Sequence, residues 1–72
     1  MQEGSAKVEQ RLLDVLKEAI KHELLAQRRY ALGASLATDP AVKEMFLQLV
    51  EEEMGHERKL REKQRDLEAK VE

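Results

Sequence analysis

Glu23, Glu53 and His56 carry the donor atoms with which this 72-residue chain can do chemistry. Two carboxylates and an imidazole suit transition ions such as Fe, Mn or Zn. Glu53 and His56 form a Glu-x-x-His pair, and residues three apart on a helix are neighbours on one face. Alone, that pair is a weak signal, because Glu and His at this spacing are common on solvated helices. Position is what singles it out. All three residues fall where the apolar stripe of a helix should hold Leu or Ile. Carboxylates and imidazole there are costly unless something pairs them, and a metal ion is the usual partner.

Two long helices must position these residues. From Val8 to Ala37, Leu12, Leu16, Ala19, Glu23, Ala26, Tyr30, Gly33 and Ala37 follow alternating steps of four and three, one face of a helix, widened by Leu13, Ile20 and Leu24. Thr38-Asp39-Pro40 is the one strong break. Pro at a first helical position after an Asp N-cap starts a helix, and Pro40 pushes Asp39 out of helical geometry. The second helix then runs from Pro40 to about Lys70, with Val42, Phe46, Leu49, Glu53, His56, Leu60, Lys63 and Leu67 on its stripe. Met45, Val50 and Met54 flank it as apolar filler. The expected fold is all-α: an antiparallel two-helix hairpin over residues 8–72 behind a frayed lead-in over 1–7. Two such hairpins pair into a four-helix bundle that covers both stripes.

Glu23 and Glu53 are almost equidistant from a turn centred between Thr38 and Asp39. At about 1.5 Å of rise per residue the two carboxylates therefore share one height, with His56 one turn along. Shared height and shared face turn a weak Glu-x-x-His match into half of a di-metal site. A second copy of the chain supplies the other half, giving four carboxylates and two imidazoles for two ions, one per chain.

Composition excludes several classes. There is no cysteine, so disulfides and thiolate metal sites are ruled out. The net charge is only -2, which exerts no strong pull on nucleic acid. From Glu57 onward Lys, Arg and Glu interleave as a solvated, ion-paired helix surface. No apolar run approaches the roughly 18–20 residues of a membrane span, and the N-terminus lacks a signal-peptide core. The expectation is a cytoplasmic protein. A domain this small needs a metal or oligomerisation to stabilise it.

Glu23-x-x-Ala26-x-x-x-Tyr30, followed by Glu53-x-x-His56 within Glu52-Glu53-Met54-Gly55-His56, resembles the ferritin-like superfamily, rubrerythrin-type members in particular. The resemblance covers roughly Leu12 to Leu67. The two-helix length is similar to encapsulated ferritins, which hold half a ferritin bundle and build a di-iron centre across a dimer interface. What the resemblance implies is a ferroxidase, oxidising Fe(II) for iron storage or detoxification. Glu23 would then be a terminal carboxylate ligand, Glu53 the bridging ligand and His56 the imidazole ligand. Tyr30 would hydrogen-bond a ligand carboxylate of the other chain, the alternative being plain core packing. The chain departs from the pattern in three ways. Gly55 precedes His56 where a longer side chain is usual, which points to close helix approach or a kink. The Cys-x-x-Cys iron module of full rubrerythrins is missing, which argues against rubredoxin-linked peroxidase activity. No C-terminal targeting peptide is evident, so an encapsulin shell as partner and nanocompartment stays open only if such a peptide lies outside this sequence.

Glu18, His22, Glu52 and Glu57 flank the stripes. Their functional reading is a secondary or access site for metal; the simpler one is ordinary surface ion pairing, favoured for His22 in particular. The rival for the whole chain is a structural helical hairpin that assembles through its stripes without catalysis, with or without an opportunistic metal.

Overall fold

The computed structural model describes the backbone of residues 2–71 and the side chains of residues 7–70. Helix α1 runs Gln2–Leu36 and helix α2 Pro40–Val71. They lie against each other as a hairpin with extents of 57 × 14 × 13 Å. The fold is the expected all-α hairpin, with no strand among the described residues. Helix α1 begins at Gln2, earlier than Val8. The added stretch has no proline and a single glycine, whose cost of about 1 kcal/mol relative to Ala is too small to stop a helix.

The turn closes as its sequence dictates. Asp39 caps α2: its Oδ1 accepts from the backbone N–H of Ala41 at 2.8 Å and of Val42 at 3.1 Å. Its own carbonyl accepts from Lys43 N–H at 3.0 Å, the first bond of the helical ladder. Helix α1 has no basic residue in its last turn. Lys43 reaches across from α2 instead and donates from Nζ to the Ala34 carbonyl at 3.2 Å. That cation satisfies an end carbonyl and complements the negative end of the α1 dipole.

The seam between the helices follows Leu13, Leu16, Ile20, Glu23, Gln27, Tyr30 and Ala34 on α1, then Ala37 just past its end, and Phe46, Val50, Glu53, Glu57, Leu60, Gln64 and Leu67 on α2. Every one of these is buried or half-buried, with Leu13, Ile20 and Ala34 the most enclosed. This seam is rotated from the stripe that periodicity marks out. Leu12, Val42, His56 and Lys63 lie on that stripe yet are exposed, along one open edge of the hairpin. The reason is geometric. A helix facing a single neighbour buries a narrow seam, whereas the wider stripe fits a helix with two neighbours.

Near the turn the Phe46 ring lies flat over Gly33. A Cβ at Gly33 would meet three ring atoms at 2.9 Å, so the ring needs a residue with no side chain beneath it. Tyr30 stacks on the same ring, with centroids 6.3 Å apart and planes inclined by 30°. Gly33, and not Gly55, is the close-approach glycine of this hairpin. A Cβ at Gly55 would meet only the Arg58 guanidinium, at 3.9 Å.

Candidate metal centre

The three stripe residues converge. Glu23, Glu53 and His56 each offer a donor atom, and these atoms all lie within 4.8 Å of one another. His56 Nδ1 is 3.6 Å from Glu23 Oε2 and 3.5 Å from Glu53 Oε1. Donors on one divalent ion, at bonds of about 2.0–2.2 Å, lie about 3–4 Å apart, so this spacing needs little adjustment. The two carboxylates are half-buried in the seam, and the imidazole stands 54% exposed on the open edge.

The electrostatics are those of a site short of a cation. Glu23 Oε2 is buried without a hydrogen-bond partner. Its carboxyl is held above its ordinary 4.5: the adjoining Glu53 carboxyl, with which it can share a proton, contributes most, then burial, then the charge of Glu53, while His56 pulls the other way. Two carboxyls held this close bind a proton more tightly than either would alone. A divalent ion bound there would compete with that proton for the same oxygens. The donor set of two carboxylates and an imidazole fits iron, manganese or zinc.

The flanking candidates do not join this group. Glu18 pairs with Lys21 at 3.4 Å on the surface. His22 and Glu52 are exposed. Glu57 has both oxygens engaged: Oε1 accepts from Gln27 Nε2 at 2.8 Å and Oε2 from Arg61 Nε at 2.7 Å. Those two bonds, that of Gln27 first, hold the Glu57 carboxyl below its usual range. Tyr30 sits in the seam against Phe46. Gln27 is the residue that stripe reading passes over, since a polar residue off the stripe looks like surface. The signal was a step of seven, Leu13, Ile20, Gln27, Ala34, which marks a helix–helix seam.

A family model described as Rubrerythrin matches residues 14–72, most of the chain and the whole of this site. The chain belongs to the rubrerythrin family. No curated protein and no solved structure matches it. Rubrerythrins are ferritin-like proteins that typically bind iron, and the Glu23, Glu53 and His56 group is the place in this rubrerythrin-family hairpin where a metal can sit. The hairpin has two helices, where a ferritin-like bundle has four.

Proposed function

We propose that two copies of this chain pair along their open edges and oxidise Fe(II) at a di-iron centre shared between them. The convergence of Glu23, Glu53 and His56 carries this reading. Three donors leave an ion undercoordinated, and they lie on the edge that a second hairpin would cover. Two-fold pairing gives four carboxylates, whose charge balances two divalent ions, and two imidazoles. Exposed apolar residues, among them Leu12 and Val15 beside Leu67 in the groove between the helices, would supply the interface.

Iron enters as the Fe(II) substrate. Two Fe(II) each give up one electron, and together they reduce dioxygen to hydrogen peroxide with two protons from solvent; peroxide can itself serve as oxidant. Glu23 and Glu53 would hold the ions through their carboxylates and His56 through an imidazole nitrogen. Carboxylates stabilise the Fe(III) product more than the Fe(II) substrate, which favours oxidation. Tyr30 would steady a ligand carboxylate of the other chain. Iron storage or detoxification is the matching role, in the cytoplasm or within an encapsulin shell.

Anaerobic Fe(II) titration of metal-free protein is expected to saturate at one iron per chain in an even-numbered oligomer. Admitting oxygen should then raise the Fe(III) absorbance over repeated additions. A Glu53→Ala variant that bound and oxidised iron like wild type would overturn the proposal. A non-catalytic assembly hairpin behaves differently: Glu53→Leu and His56→Leu would stabilise it in any buffer. For the iron centre the same changes abolish metal-dependent stabilisation.

A further inference from the structure

Behind the Glu23, Glu53 and His56 group, on the other side of the seam, the two helices are tied by a second polar contact. Gln27 Nε2 donates to Glu57 Oε1 at 2.8 Å, a side-chain to side-chain hydrogen bond that crosses between the helices. Arg61 Nε holds the other Glu57 oxygen at 2.7 Å. Gln27 follows Glu23 by four residues and Glu57 follows Glu53 by four, so each partner sits one turn from a candidate ligand on its own helix.

The bond runs diagonally. Gln27 lies nearer the turn than Glu23, and Glu57 farther from it than Glu53. Side chains on a helix lean toward its N-terminus. In an antiparallel pair these two therefore lean toward each other, and they meet at the height of the three donors.

Apart from Glu23, Glu53 and Gln64, the rest of the seam is apolar and largely aliphatic, which resists separation but tolerates sliding. A directional hydrogen bond does not tolerate it, and a single polar contact in such a seam fixes register. Register matters here because the donors come from both helices, Glu23 from α1 and the other two from α2. A slide of one residue is about 1.5 Å, whereas a ligand set needs placement to about 0.5 Å. Arg61 adds a second restraint. With both oxygens engaged, Glu57 is kept from turning toward the ion as a third carboxylate.

We infer that Gln27, Glu57 and Arg61 form a positioning brace that sets α1 in register with α2 and so places Glu23 opposite Glu53 and His56 for metal binding. The brace rests on the metal-centre reading above, and it is separable from it by experiment. The probe is Co(II) alone, titrated into the full-length chain and followed by its ligand-field absorption, alongside thermal melts of the metal-free protein. Wild type is expected to bind with a defined spectrum. Gln27→Leu keeps the seam packed, so its metal-free stability should hold while Co(II) affinity falls on the order of tenfold and the bands shift. The swapped double variant Gln27→Glu with Glu57→Gln rebuilds the bond with donor and acceptor exchanged, leaves an oxygen for Arg61, and should restore both. A Gln27→Leu protein with wild-type affinity and spectrum overturns the brace and leaves the metal centre standing. So does a folded swap variant that fails to recover. Wild type without Co(II) bands overturns the metal centre and the brace with it.

Discussion

Glu23 shows how one side chain carries opposite signs of stability with and without metal. Its carboxyl is held above its ordinary 4.5 by the adjoining Glu53 carboxyl, by burial and by the Glu53 charge. A carboxyl whose folded value is raised binds its proton more tightly in the folded state. Its contribution is fully present below the unfolded value and is lost as pH rises through the folded one. At neutral pH the metal-free hairpin therefore carries an unrelieved repulsion. Glu23→Gln should raise the melting temperature of metal-free protein at neutral pH and leave it nearly unchanged in acid. The same substitution should remove the stabilisation that added Zn(II) or Fe(II) gives wild type. Thermal melts at two pH values, with and without metal, check all four arms; a Glu23→Gln protein less stable than wild type at neutral pH without metal would contradict the account. Proton and metal compete for the same oxygens, so metal affinity should fall as the solution is acidified. The convergence itself was legible in the sequence, since Glu23 and Glu53 could be measured from the turn. What was not legible at this scale was Glu57. Its spacing matched an access site as well as a seam, and only the lean of two opposed side chains decides that it meets Gln27.

At the scale of the helices, the turn was legible almost atom for atom. Asp39 and Pro40 are a local instruction, and the cap is the bond to Ala41 and Val42 N–H that the sequence implies. Asp39→Ala should lower stability by about 1 kcal/mol, the usual cost of losing an N-cap, readable in a denaturant melt. The packing of one helix on the other was less legible, because it depends on rotation, which periodicity fixes only loosely. The stripe put Leu12 and Val42 at its centre and Leu13 and Ile20 at its margin, whereas the hairpin encloses Leu13 and Ile20 most, together with Ala34, which the stripe left out. Likewise Gly55 drew attention for standing before His56, yet the glycine under an aromatic ring is Gly33. Adding a methyl group there forces the Phe46 ring, stacked on Tyr30, to move. Gly33→Ala gains helix propensity of about 1 kcal/mol, but overpacking of this kind costs about 1–3 kcal/mol. Net destabilisation is expected. Gly55→Ala, whose methyl would make only an ordinary contact with the Arg58 guanidinium, should stabilise α2. Opposite signs for two Gly→Ala changes in one protein make this a sharp comparison by thermal melt.

For the whole molecule, the question is which edge of the hairpin is covered. A hairpin of this length leaves Val15 63% and Leu36 71% exposed, more apolar surface than a lone small domain sustains comfortably. Two edges carry apolar side chains. By helical spacing the exposed Val42 and Met45 fall on the His56 side of α2, and the exposed Leu47 and Met54 on the other. The first is also where Leu12, Val15, Leu16, Lys63 and Leu67 line a groove between the helices. If pairing there completes the iron centre, charge on that edge must act on assembly and metal together. Leu12→Lys with Val42→Lys touches no candidate ligand. It should still lower the native mass to that of a single chain, abolish metal-dependent stabilisation and end Fe(II) oxidation, while the helical signal of the hairpin persists or weakens only modestly. Leu47→Lys with Met54→Lys, the same charge on the opposite edge, should leave the iron-to-chain ratio and the oxidation rate near wild type. Native mass measurement, iron analysis and an oxidation assay on both pairs distinguish the edges. A single-chain Leu12→Lys/Val42→Lys protein that kept its iron and its turnover would show that one hairpin completes the site alone, and the four-carboxylate centre would fall.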